Sequence, residues 1–65
     1  MRIEVNGEPR DVTSATLDAL LAELGYGESP VATARNFEFV RVADRGATPL
    51  REGDSIEIVA PKQGG

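Results

Sequence analysis

The stretch Thr16-Leu17-Asp18-Ala19-Leu20-Leu21-Ala22-Glu23-Leu24-Gly25 decides how the chain is organised. Leu17, Leu20, Leu21 and Leu24 recur at i, i+3, i+4 and i+7, which lays one apolar stripe along a helix. Thr13, Ser14 and Thr16 carry side-chain oxygens able to cap its first turn, and Gly25 supplies a stop. A lone amphipathic helix must cover that stripe, and the segments on either side read as strands with one apolar face each.

Toward the N-terminus, Ile3 and Val5 alternate with Arg2, Glu4 and Asn6, the period of a strand wet on one face. Asn6-Gly7 is a strong two-residue hairpin signal, so a second strand is expected over residues 8–12. Beyond the helix, residues 26–30 (YGESP) form a loop, a third strand starts at Val31, a turn falls near Asn36-Phe37, and a short fourth strand runs through Phe39-Val40. Residues 41–54 read mostly as loop, with Pro49 barring a central strand and Glu52-Gly53-Asp54 marking a tight turn. Residues 55–60 (SIEIVA) are the last strand, with Ile56 and Ile58 on one face.

This order, in the α+β class, is that of a β-grasp, ubiquitin-like fold, and other small α+β folds are compatible with it. It predicts a mixed sheet of four to five strands, first and last parallel at its centre, with one helix packed across it. The expected domain is residues 1–60, followed by a flexible tail over residues 61–65.

Composition narrows the chemistry. The 65 residues contain no cysteine and no histidine, which removes disulfides, thiolate-held clusters, the commonest metal ligand and the side chain that most often moves protons near neutral pH. The expectation is a non-enzyme that uses no metal and no cofactor, in a cytoplasmic setting. A β-grasp ferredoxin is excluded, because its cluster needs cysteines. Seven basic and eleven acidic residues give a net charge of −4 with the basic ones scattered, which argues against nucleic acid as a partner. No apolar run is long enough for a signal peptide or a membrane span.

The sequence closes on Ala60-Pro61-Lys62-Gln63-Gly64-Gly65. Pro61 cannot donate a ladder hydrogen bond, so strand pairing is expected to stop there and release an extended end. Residues 61–65 span at most about 17 Å, enough to enter a deep cleft on another protein. The chemistry at that end is an α-carboxylate, ionised at neutral pH and unreactive toward nucleophiles until activated. A mixed anhydride with AMP opens its carbonyl to a sulfur nucleophile. The chain has no phosphate-binding loop, so the ATP must be held by a partner. On this reading Gly65 is the reacting residue, and Gly64 lets the partner close on the backbone without meeting a side chain.

The chain resembles the ThiS family of sulfur carriers in thiamin biosynthesis and, more widely, the ThiS/MoaD group of ubiquitin-like carriers. The likeness covers essentially all of it and rests on residues 3–8 (IEVNGE), 16–25 (TLDALLAELG) and 48–65 (TPLREGDSIEIVAPKQGG). The resemblance implies that Gly65 is adenylated by a ThiF-like enzyme with ATP and converted to a thiocarboxylate, with sulfur from a donor such as a cysteine desulfurase. The thiocarboxylate then supplies sulfur to thiazole synthase. It leaves open a MoaD-like small subunit of molybdopterin synthase; outside the sulfur carriers stand a ubiquitin-like modifier joined through Gly65 and a passive interaction module. Two places depart from the family's pattern. Asn36-Phe37-Glu38-Phe39-Val40 stands where Asn-Gly-Glu-Phe-Val is usual, which leaves that turn's type undetermined. Arg41-Val42 and Arg45 stand where Pro-Arg and a tryptophan are frequent.

Among the remaining residues, Val59 is out of phase with Ile56 and Ile58 and is expected to face away from the helix, beside the tail. It and Phe37, at a turn tip, are the candidates for partner docking. Glu52 and Asp54, beside Gly53, are paired acids without a pocket or a partner base, and are expected to be turn residues and not general acid/base groups.

Overall fold

The computed structural model describes residues 1–61. Its elements are β1 (Arg2–Val5), β2 (Glu8–Asp11), α1 (Leu17–Glu23), β3 (Ala32–Arg35), β4 (Glu38–Val40), a 3-10 helix (Val42–Ala47) and β5 (Ser55–Val59). The five strands make one mixed sheet in the order β2-β1-β5-β3-β4. β1 and β5 are parallel neighbours, and every other pairing is antiparallel. This is the expected β-grasp topology, with five strands.

Both hairpins close with two-residue turns whose central residues are left-handed. Asn6 (φ 53°) and Gly7 (φ 84°) join Val5 to Glu8; Asn36 (φ 52°) and Phe37 (φ 70°) join Arg35 to Glu38. Two positive φ values identify the type I′ turn, whose twist suits the flanking strands. The second hairpin therefore keeps the turn that a glycine would favour, with Phe37 holding a strained backbone angle.

Helix α1 starts at Thr16, whose Oγ1 accepts the Ala19 amide at 3.2 Å. Thr13 and Ser14 do not cap it. Their amides and the Ser14 hydroxyl donate instead to the Glu23 carboxylate, which fastens the incoming loop to the last turn. At the other end Gly25 (φ 88°) lets its amide reach the Ala22 carbonyl (3.1 Å) and the Tyr26 amide reach the Leu21 carbonyl (2.8 Å). Those two bonds are the Schellman pattern, and Tyr26 packs on the core as that motif requires. Leu17, Leu20 and Leu21 are buried with Ile3, Val5, Val12, Val31, Leu50, Ile56 and Ile58. Leu24, already at the helix cap, is only partly covered.

Residues 41–54 differ from the expected loop, because Val42–Ala47 forms a 3-10 helix. Its sequence has no apolar period. What fixes it is Arg45, which turns inward and is buried, donating from Nε to Thr33 Oγ1 (3.1 Å) and from Nη2 to the Val31 carbonyl (2.6 Å). The segment after it is fastened to the start of α1 by Leu17 amide to Thr48 carbonyl (3.0 Å) and Leu50 amide to Ala15 carbonyl (2.9 Å). Asp54, which follows the Glu52-Gly53 turn, is buried and its Oδ2 accepts Arg35 Nε at 2.8 Å.

Candidate functional site at the end of the last strand

The residue that delivers the tail is the end of β5, and three features of the fold fix where that strand stops. On one side, β1 pairs with it through Glu4 amide to Asp54 carbonyl (2.9 Å) and Asn6 amide to Ile56 carbonyl (2.8 Å). β1 then turns away, but the Asn6 carboxamide continues the pairing. Its Nδ2 donates to the Ile58 carbonyl (3.1 Å) and its Oδ1 accepts the Ile58 amide (2.9 Å). A primary amide offers one donor and one acceptor side by side, so it stands in for one more residue of strand. On the other side the last partner is Ala32, opposite Val59. Past Val59 come Ala60, exposed, and Pro61, which has no amide hydrogen to donate.

The entry of β5 is held in the same manner. Asn36 donates its amide to the Ser55 carbonyl (2.7 Å), accepts the Ser55 amide on Oδ1 (2.9 Å), and donates Nδ2 to Asp54 (3.1 Å). Asp54 also accepts the Arg51 amide at 2.8 Å. Burial opposes the Asp54 charge, but the bonds from Arg35, the Arg51 amide and Asn36 outweigh it and hold the carboxyl below its ordinary value. At Glu23, the Ser14 hydroxyl is the foremost cause of a lowered carboxyl pKa. Central strand β5 is thus pinned at each end by a left-handed asparagine.

Beside the departure point lies a shallow apolar depression of about 450 Å³, lined by Pro30, Val31, Ala32, Val42, Val59 and Pro61. Val59 is 61% exposed and Val42 73%, so both offer their side chains to another molecule. Val59 faces away from the helix as expected. Val42 was not legible as its neighbour, because only the 3-10 helix carries it there. Arg45 shapes the wall from behind: its bond to the Val31 carbonyl holds the residue before β3 against the fold. Among the described residues no carboxylate lies within ion-pairing distance of Arg45.

Phe37 is 80% exposed but lies elsewhere. Ala32 faces Val59, and Phe37 is five residues further along the hairpin, roughly 15 Å away at strand spacing. The structure therefore does not bring the two docking candidates together. Gly64 and Gly65 lie outside the described residues. Among the described residues no group of three His, Cys, Asp or Glu side chains could hold a metal ion, and no helix is long and apolar enough to cross a membrane.

Comparison with known proteins accords with this geometry. The crystal structure of a thiamine biosynthesis protein (ThiS) from Geobacter metallireducens superposes with a TM-score of 0.84 at 29% identity, each chain being covered completely. The sulfur carrier protein ThiS of Thermus thermophilus is 44% identical over 64 residues, which is 94% of this chain and 95% of that one. A thiazole synthase of Paramagnetospirillum magneticum is 41% identical over 66 residues, 100% of this chain but only 20% of the relative; the chain spans about a fifth of that protein's length. The model of the ThiS family matches residues 3–65, and the chain belongs to that family.

Proposed function

We propose that this chain is a sulfur carrier in thiamin biosynthesis whose reacting group is the Gly65 carboxylate. The observation that carries the reading is the near-complete mutual coverage with the Thermus sulfur carrier, within a family match that runs through Gly65. In this scheme a ThiF-like enzyme directs a carboxylate oxygen to the α-phosphorus of ATP. Pyrophosphate leaves and an acyl adenylate forms. The outer sulfur of a persulfide, fed by a donor such as a cysteine desulfurase, attacks the carbonyl and displaces AMP to leave an acyl disulfide, and a thiol reductant supplies the two electrons that cleave its S–S bond and release the thiocarboxylate. A thiazole synthase then takes the sulfur, and the carrier returns as carboxylate. The chain is a co-substrate and no enzyme, and we assign it to the cytoplasm with the ATP it depends on.

The fold supports this use of the end. Both flanks of β5 are bonded up to Ile58 and Val59, so the tail begins from a fixed point. The apolar depression around Val59 and Val42 gives a partner a surface to hold while it takes in the tail, with Gly64 leaving room around the backbone. The thiazole synthase relative, one fifth of whose length resembles this chain, supports thiazole synthase as the recipient. ATP–pyrophosphate exchange by the cognate adenylating enzyme tests the first step: it should depend on this chain and vanish when Gly64 and Gly65 are removed. Exchange that survives that removal would place the reacting group elsewhere.

A further inference from the structure

We propose that Glu57 selects the adenylating enzyme: it is the one charged strand residue on the apolar half of the open sheet face, and it pairs with a cation on that enzyme. The inference rests on the adenylation proposed above. Register divides the face turned away from α1 into two unlike halves. On β1 and β2 it carries Arg2, Glu4, Pro9 and Asp11, with Arg2 opposite Asp11 and ion-paired to it at 3.0 Å. On β5, β3 and β4 it carries Ser55, Glu57, Val59, Ala32, Ala34 and Phe39. Ala32 lies opposite Val59, and Ala34 lies between Glu57 and Phe39 in one cross-strand row. The two alanines make a low floor between Val59 and Phe39, which are 61% and 70% exposed. Val42 extends the same surface through the depression that Val59 and Pro61 also line. The tail thus leaves from the apolar half, and large exposed apolar side chains gathered on one face mark a site of protein contact.

The length of the tail fixes the occupant. Residues 62–65 reach at most about 14 Å beyond Pro61, so the enzyme that activates Gly65 must stand against the end of β5. A standard contact covers about 800 Å² on each partner, a patch roughly 30 Å across. From Val59, Glu57 is about 7 Å along the strand and Phe39 roughly 12 Å away across two strands. A patch of that size centred on Val59 takes in both. Glu57 then loses its water, and a carboxylate covered without a counter-charge is strongly unfavourable. Among the described residues the chain does not supply that counter-charge, because its ion pairs join Arg2 to Asp11, Arg35 to Asp54 and Arg41 to Asp44. The cation must come from the partner. An enzyme that holds the triphosphate of ATP where the tail enters is basic there, which complements Glu57 and the net charge of −4. Phe39, and not Phe37 at the turn tip, shares the face with Val59 and is the far apolar anchor of the contact.

The test is ATP–pyrophosphate exchange by the cognate adenylating enzyme with the full chain, read as kcat and as KM for the chain at low and high salt. Glu57→Gln should raise KM about tenfold and Glu57→Lys more, with kcat unchanged, because docking is impaired and the chemistry is not. Salt should raise the KM of the parent and barely move that of Glu57→Gln. Phe39→Ala should raise KM and leave its salt dependence intact. Asp18→Asn removes the same charge from the helix side of the molecule and should match the parent. Circular dichroism should be unchanged throughout, since Asp18, Phe39 and Glu57 are all exposed. A KM for Glu57→Gln no different from that of Asp18→Asn overturns the proposal, as does a fall in kcat at constant KM, or an effect seen only when thiazole synthase takes the sulfur. If the parent itself supports no exchange, the adenylation reading falls. Binding of the chain to the enzyme without ATP then decides on Glu57 alone: it should weaken in Glu57→Gln, and equal binding overturns the contact.

Discussion

Replacing Asn6 tests whether one side chain sets the point from which the tail departs. The Asn6 carboxamide makes two bonds to Ile58, at 2.9 and 3.1 Å, in a partly buried setting. A typical intramolecular hydrogen bond contributes about 1 kcal/mol net, so the pair contributes about 2. Alanine at φ 53° adds about 1 kcal/mol of backbone strain, since only glycine, asparagine and aspartate adopt that region readily. Asn6→Ala is therefore expected to lose roughly 3 kcal/mol from a domain whose total stability is of order 3–10 kcal/mol. Asn6→Gly keeps the turn and should lose about 2, so the difference between the two variants reads the strain net of glycine's greater unfolded-chain entropy. Urea titration with a shared m-value measures both, and amide exchange at Ile58 should accelerate in each. If Asn6→Ala stayed within about 0.5 kcal/mol of the parent, the range of ordinary surface changes, the clamp would not be holding β5.

Other outcomes follow from the same geometry. Leu20→Ala should cost about 2–4 kcal/mol in denaturant titration, because Leu20 is wholly buried between helix and sheet. Asp54 has a folded pKa below its ordinary 3.8, so its contribution is present above that value and is lost as pH falls through the folded pKa; Asp54→Asn should flatten the acid limb of a stability–pH curve. Removing Gly64 and Gly65 should leave the unfolding midpoint unchanged, since the core cluster lies within residues 3–58. Val59→Asp should weaken binding to the adenylating enzyme by placing a charge in the apolar contact, with circular dichroism unaltered.

What could be read in the sequence was whatever depends on near neighbours. The leucine spacing, the Gly25 stop and the Asn6-Gly7 turn are local, and they specify the helix and the first hairpin within the β-grasp order. The 3-10 helix was not legible, because nothing in residues 42–47 favours it until Arg45 finds Thr33 and the Val31 carbonyl across the fold. The same holds for the asparagines. Their turn role is written in the dipeptides, whereas their reach to Ile58 and Ser55 exists only once β5 lies between the two hairpins. Asp54 looked like a turn acid, and the hairpin of β3 and β4 brings it Arg35 from 19 residues away. Of the candidate site, Val59 was legible from its phase along β5, while Val42 depended on the 3-10 helix that carries it to the same depression.

The most direct test of the central claim is the intact mass of the full chain after incubation with its adenylating enzyme, ATP, a sulfur donor and a reductant. The account predicts replacement of a single oxygen by sulfur, located at Gly65 by fragmentation, and reversal of that change when thiazole synthase and its other substrates are added. An unchanged mass beside demonstrable AMP formation, or sulfur found on any other residue, would contradict it.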